Sequence, residues 1–348
     1  TCQSTGTTYT NTIYGIQHNF GASGTIAVNC TGNEISNLTA GSSGSSANQT
    51  ILGIMNGGCA NTIEKNLIYN LKVISSGTGS VIKGMRFGTS KTDGCTIKNN
   101  IIRLGTGVSS DVEISAIINE GLSNNTYPFN IYHNSIYIGG TSQTKPSHCL
   151  SRTTTATSGL ISIQNNIFSN KRSGGSAVNQ IYNLYAATDI TTSDHNLYEY
   201  GSLYGTVTTT SPTTYSALSN WISAKPGLET GSIDQTSPQF MDATATIPDL
   251  RIIASSAVVD NVGADLSSTV TDDYDGKTRS GYTPHDIGAF AYTKVASASD
   301  ASLANHRFRT HASGDWRTNA TWESSADGTI WIPATAFPSA TANSITIL

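Results

Sequence analysis

Four stretches of this 348-residue chain decide its fold: Ile63-Glu-Lys-Asn66-Leu-Ile68, Ile97-Lys-Asn-Asn100-Ile-Ile102, Ile131-Tyr-His-Asn134-Ser-Ile136 and Ile163-Gln-Asn-Asn166-Ile-Phe168. Each sets an Asn three residues after one apolar side chain and two before another. Weaker copies centre on Asn33, followed by Ile35, and on Asn196, followed by Leu197 and Tyr198; Ile16-Gln-His-Asn19-Phe20 reads as an incomplete first copy. From Asn33 to Asn196 the spacings are 33, 34, 34, 32 and 30 residues. A second apolar block recurs upstream: Gly53-Ile-Met55, Gly84-Met-Arg86, Ala116-Ile-Ile118 and His148-Cys-Leu150. A steady period of this size is the mark of a solenoid, each coil burying its inner face on its neighbours. Helical repeats have similar periods, so content decides. These units hold Ile, Thr, Tyr, Asn and Gly, with almost no Ala, Leu, Glu or Lys in helical register.

The apolar positions flanking each Asn are five apart, an odd step that would place them on opposite faces of one continuous strand. A bend at Asn returns both to the inside. Asn tolerates the left-handed backbone such a bend needs, and its side chain can bond to the coil above or below. The expected fold is all-β: a parallel β-helix of about six coils with aliphatic stacks and a ladder of Asn33, Asn66, Asn100, Asn134, Asn166 and Asn196.

Composition agrees. Only 12% of residues are charged, against a usual ~25%. With 48 Thr, 45 Ser and 28 Asn, hydroxyl and amide groups take the place of charge at the hydrated surface. A net charge of −4 gives no electrostatic reason to expect nucleic acid or an anionic membrane as partner. No run approaches the ~20 apolar residues of a membrane-spanning helix. The chain opens on Thr1 without a basic and apolar leader and closes on Asn343-Ser-Ile-Thr-Ile-Leu348, which alternates like a strand just beginning; both ends read as those of an excised piece.

Such Asn-ladder coils resemble the right-handed parallel β-helix of the pectate-lyase superfamily. Residues 219–292 extend the likeness through Asn220-Trp221, Ser237-Pro-Gln-Phe240, Asp249-Leu-Arg-Ile252, Ser256-Ala-Val-Val-Asp260, Asp273-Tyr-Asp-Gly-Lys-Thr-Arg279 and Asp286-Ile-Gly-Ala-Phe-Ala-Tyr292. In that order they resemble the segment closing β-helix modules of very large secreted proteins of gliding, type IX-secreting bacteria. Ala291 stands where that closing motif carries Glu. The resemblance implies an extracellular or cell-surface location and, as partners, other modules of the same large polypeptide.

The expected organisation is coils over 1–205, late coils and a C-terminal cap over 206–292, with a Thr/Ser-rich inserted loop at 206–218. A linker over 293–305 and the beginning of another β-rich module over 306–348 follow. All five cysteines, Cys2, Cys30, Cys59, Cys95 and Cys149, lie in the first 150 residues without zinc-motif spacing. Cys30, Cys59 and Cys95 fall near one corner of successive coils, as a Cys59–Cys95 disulfide or as a stack of buried thiols.

For chemistry, β-helix enzymes that act on polysaccharides come first. The carboxylate and His motifs of a polygalacturonase-type glycosidase are absent. A lyase would need a base for the proton α to a uronate carboxylate and cations to neutralise that carboxylate; Lys83, Arg86, Lys98 and Arg103 are the best group. Calcium-binding carboxylates near them are few: Glu64, Asp93, Asp111, Glu113 and Glu120. Asp273 and Asp275 with Gly276 resemble part of a Ca²⁺ loop, or else Asp273, Asp275, Arg279 and Asp286 form a structural network in the cap. His133 and His195, each preceding a ladder Asn, are expected to face outward. Tyr69, Tyr132 and Tyr137 are candidates for stacking on sugar rings. The leading expectation is a non-catalytic structural or adhesive module without a cofactor, Ca²⁺ excepted, offering its flat face to glycans; the alternative is a polysaccharide lyase.

Overall fold

The computed structural model describes residues 10–18, 28–41, 46–57, 61–88, 95–120, 129–141, 144–152, 161–208, 212–253, 256, 258–281, 285–292, 302, 306–325 and 331–348. The chain winds as a parallel β-solenoid of about eight turns. Three sheets form its walls. The first takes Asn11–His18, Gln49–Asn56, Val81–Phe87, Glu113–Asn119, Ser147–Arg152, Asn179–Leu184 and Leu203–Val207 in parallel, then Thr213–Tyr215 antiparallel. The second takes Val28–Thr31, Asn61–Glu64, Cys95–Lys98, Phe129–Tyr132, Ile161–Gln164 and Ile190–Asp194. The third takes Glu34–Ile35, Leu67–Tyr69, Ile101–Leu104, Ser135–Ile138, Ile167–Asn170, Leu197–Tyr200 and Ile233–Asp234. Among the described residues, six coils carry a ladder Asn.

The core follows from the repeat. Ile63, Ile97, Ile131 and Ile163 stack in register on the second sheet and Ile68, Ile102, Ile136 and Phe168 on the third, all at most 1% exposed. At roughly 25 cal/mol per Å² of apolar surface, each such side chain contributes on the order of 2 kcal/mol. The upstream blocks at Gly53 and Gly84 begin with glycine because the neighbouring coil approaches closely there. A Cβ on Gly53 would lie 2.5 Å from the Gly84 carbonyl oxygen and 2.9 Å from Ile68 Cγ2. Two register assignments need correction. Ile16 pairs with Ile54 on the first sheet, so residues 16–18 align with the upstream block; Asn19 and Phe20 lie outside the described residues. Ile117 pairs with Leu150, one residue beyond the alignment that set it opposite Cys149.

The ladder itself is continuous. Asn66 donates from its backbone N and its Nδ2 to Asn100 Oδ1 at 3.0 and 2.9 Å, Asn100 does the same to Asn134 at 2.9 and 2.9 Å, Asn134 to Asn166 at 2.9 and 2.9 Å, and Asn166 to Asn196 at 2.9 and 3.1 Å. Asn33 joins through Asn66 Oδ1. The left-handed bend sits one residue earlier than the sequence suggested: Gly32, Lys65, Asn99, His133, Asn165 and His195 have φ between 51° and 69°. That earlier bend frees the ladder Asn to point inward. With two donors and an acceptor in use, Asn holds both neighbouring coils, which a shorter or apolar side chain could not do.

The C-terminal end of the solenoid is closed by the Thr213–Tyr215 hairpin strand and the helix Leu218–Ala224, which bring Tyr215, Leu218 and Trp221 onto Tyr182, Tyr198 and Tyr204. The expected inserted loop at 206–218 is therefore mostly hairpin and plug, with 209–211 outside the described residues. Residues 240–292 do not cap that end as expected. The described residues of this stretch form a strap, with an antiparallel hairpin of Phe240–Asp242 and Asp249–Ile252, running back along the solenoid's outside over the third sheet and its ladder corner. Ile101, Ile167 and Leu197, on the outer face of the third sheet, pack against strap residues Leu250, Ala289, Ile287 and Val259. Separately, Arg307–Thr310, Trp322–Ser325, Ile332–Pro333 and Ser344–Thr346 make a small four-stranded sheet around Phe308 and Trp322. Of the cysteines, Cys30 and Cys149 are buried free thiols and Cys95 is buried; Cys59 lies outside the described residues, and with it the choice between a Cys59–Cys95 disulfide and a stack of thiols.

Candidate functional site

The four basic residues proposed for a lyase fall on a single coil but on three different sheets. Lys83 and Arg86 belong to Val81–Phe87, Lys98 to Cys95–Lys98 and Arg103 to Ile101–Leu104. The structure thus brings Lys83 and Arg86 together and separates both from the other two. Lys83 and Arg86 share the carboxylate of Glu120. Burial alone would raise that carboxyl, yet hydrogen bonds from the two cations hold it below its usual range. Lys98 pairs with Glu64 at 3.2 Å and donates to the Thr269 carbonyl of the strap at 3.4 Å. Arg103 is 4% exposed, donates to the Ala245 and Thr246 carbonyls at 2.9 and 3.1 Å, and its guanidinium lies 5.6 Å from the Tyr69 ring centroid. Burial lowers its affinity for the proton. Each cation already has an anion or carbonyl partner, so abstracting a proton from substrate would require breaking that contact.

The three tyrosines are not exposed platforms. Tyr69 is buried with its hydroxyl on Glu34 at 2.6 Å; Tyr132 is buried and bonds to Asn130 and Ser162; half-buried Tyr137 packs edge-to-face on Phe240 of the strap. Tyr69 and Tyr137 flank Arg103 in one column of the third sheet, and the strap's need for that column explains their burial.

In the strap, carboxylates serve backbone amides. Asp273 accepts from Lys277 N at 2.7 Å and Ala291 N at 2.9 Å; Asp286 accepts from Asn261 N at 3.0 Å and Tyr292 N at 2.9 Å. Burial pushes the Asp286 carboxyl up to about 6. Position 291 contributes a backbone N–H, which explains how Ala can stand there. Arg279, 1% exposed and lowered to about 10 by burial, donates to Asn99 Oδ1 at 2.8 Å, Gly288 O at 2.9 Å and Asp272 O at 3.2 Å. Its bonds go to neutral acceptors rather than to the expected carboxylates.

Sequence reasoning missed the role of the left-handed corner row. Lys65 pairs with Asp272 at 2.5 Å, Asn99 donates to the Asp272 carbonyl at 2.7 Å, and Asn165 both donates to Ala264 O and accepts from Ala264 N at 2.8 Å. These residues point outward, as expected of their position, and meet the strap. His133 follows suit: it is 1% exposed instead of solvated, its Nε2 lies 3.0 Å from Asn165 Nδ2, and burial first, then Arg279, holds its pKa well below the ordinary value. His195, in the last ladder coil, is partly exposed beside Asp194. The usable signal was chemical: in the later coils Asn99, His133, Asn165 and His195, side chains with two hydrogen-bonding heads, stand just before the ladder Asn.

Glu229 was missed as well. It is 1% exposed and ends the ladder jointly with Ser232: Asn196 N donates to Ser232 Oγ at 2.9 Å, and Asn196 Nδ2 lies 3.5 Å from Glu229 Oε2. Ser193, Ser232, Tyr198 and Tyr204 hydroxyls converge on the same carboxylate. Burial lifts its pKa despite these bonds.

Among the described residues, two cavities bear on function. One, of about 490 Å³, crosses three coils at the corner between the third and first sheets and is lined by Ser75, Ser76, Thr78, Ser109, Ser110 and Thr144 with Asp111 and Lys145. The other, of about 290 Å³, lies between the strap and the third sheet and includes Tyr274, Phe290, Asp249, Arg251 and Asp275. No protein-family model matches the chain, and neither a curated protein nor a solved structure matches it. The fold defines the class, a parallel β-solenoid with an Asn ladder and an external strap.

Proposed function

We propose that the chain is a non-catalytic, load-bearing and adhesive module of a large secreted or cell-surface protein. The observation that carries this reading is the strap. It bonds to corner residues of successive coils from Lys65 to Asn165, covers the third-sheet face of Arg103 and Tyr137, and takes Lys98 of the second sheet on its Thr269 carbonyl. A catalytic solenoid needs an open face with an available base; this face is filled by its own chain. The closing segment of residues 219–292, which resembles that of giant secreted proteins, supports the setting. The hydroxyl-lined corner groove supports the adhesive part, since Ser and Thr from three coils offer hydrogen bonds to a polyol without requiring charge. The test is a glycan-array screen beside an ultraviolet assay for unsaturated uronate products on a panel of uronate polysaccharides. Binding without turnover is expected. Turnover abolished by Arg86→Ala or Lys98→Ala would overturn the reading in favour of a lyase.

A further inference from the structure

The smaller cavity combines features that neither the ladder nor the strap requires. Its floor is apolar, built from Leu67 and Ile101, register partners on the third sheet. Tyr274 and Phe290 line it, with ring centroids 5.3 Å apart at 59°. At its rim Asp249 is held by Arg251, while Asp275 has no hydrogen-bond donor among the described residues. Negative groups outnumber positive ones around it: Asp249, Asp273, Asp275 and Glu34 act on the Tyr274–Asp275 turn, against Arg251 and Lys277. Desolvation first, and then Asp273, raises the Asp275 carboxyl. A cation seated beside it would relieve both effects.

We infer that this cavity receives an alkylammonium group on an apolar stem, of the kind a partner protein's lysine side chain presents, with the stem over Leu67, Ile101 and Phe290 and the ammonium between the Tyr274 ring and Asp275. Aromatic faces and carboxylates are the groups that recognise such cations, and a four-carbon stem suits an apolar floor beneath a charged rim. A compact cation without a stem leaves the floor empty. A uronate is repelled by the same carboxylates. The inference is independent of the glycan-facing corner groove, which lies at another edge of the coils.

The test titrates the full chain with Nα-acetyl-lysine methylamide, with tetramethylammonium and with a neutral methyl hexoside, followed by saturation-transfer NMR. The lysine analogue should bind best and weaken as ionic strength rises from about 0.05 to about 0.5 M. Asp275→Asn should weaken it about fivefold, the scale of one exposed charge pair. Arg251→Gln should tighten it, because it releases Asp249. Thermal melts of both variants, which alter rim side chains only, verify folding. Tighter binding of tetramethylammonium or of the hexoside, indifference to Asp275→Asn, or weaker binding in Arg251→Gln would each overturn the assignment.

Discussion

Truncating Asn134 to Ala should cost much more than truncating Asn33, although both occupy the same position of the repeat. Asn134 is fully buried; its Oδ1 accepts Asn100 N and Nδ2 at 2.9 Å each, and its Nδ2 donates to Ile97 O, Tyr132 O and Asn166 Oδ1 at 2.9, 3.0 and 2.9 Å. In Asn134→Ala, the Asn100 amide keeps Ile63 O and Lys98 O, but the Asn100 backbone N–H loses its ladder acceptor. One stranded buried donor costs ~1–3 kcal/mol and the lost bonds add to it, giving on the order of 3 kcal/mol. Asn33 begins the ladder, is only part-buried, and its backbone N–H stays on Asn66 Oδ1 at 3.1 Å after truncation, so about 1 kcal/mol is expected. Urea titration followed by circular dichroism reads both as midpoint shifts. Equal shifts, or less than about 1 kcal/mol for Asn134→Ala, would refute the directional ladder. Asn134→Asp adds a sign test. It keeps the acceptor but sets a carboxylate against Asn166 Oδ1 and Ile97 O, so its stability should fall as pH rises from about 5 to about 7.

Glu229 gives a pH prediction in the wild-type chain. Its folded pKa is raised above the reference 4.5, so the folded state holds a proton that the unfolded state has released, and stability declines as pH rises from about that value through the folded pKa. Glu229→Gln should flatten this decline in urea midpoints measured across the acidic range; an unchanged slope would place the titration elsewhere. Arg279→Leu removes the guanidinium bonds to Asn99 Oδ1 and Gly288 O and leaves the Asp272 carbonyl on Asn99 alone, and limited proteolysis should then cut within residues 258–292 while the ladder coils stay protected. Lys65→Met removes a partly exposed pair with Asp272 and should cost no more than about 1 kcal/mol. Added Ca²⁺ should leave the melting temperature unchanged, because both Asp273 oxygens already accept backbone amides; a clear rise would place calcium at that turn.

The coil architecture was legible in the sequence because the ladder is written in side chains. One Asn per coil, flanked at −3 and +2 by aliphatics, states both the period and the inside of the bend. The position of the left-handed residue was not legible: Asn, His, Lys and Gly share that place, and only backbone geometry separates it from the ladder Asn beside it. Nor was the strap's path. Asp273, Asp286 and Arg279 announced a turn network, but their partners are backbone amides, carbonyls and Asn99, which no spacing reveals. The candidate site shifted for that reason. Charge type suggested Lys83, Arg86, Lys98 and Arg103 for a lyase and ring chemistry suggested Tyr69, Tyr132 and Tyr137 for sugars; a segment more than a hundred residues later meets Lys98, Arg103 and Tyr137. Glu229 went unnoticed because a lone Glu before Ser232 carries no periodic signal and acquires meaning only where the ladder stops.

The most direct test of a load-bearing solenoid is to pull single molecules from their two ends by force spectroscopy. Release of the strap followed by steps of one coil is expected, each step of about 33 residues adding roughly 110 Å of extended chain. A single low-force event that liberates the whole chain, with no coil-sized steps, would contradict the account.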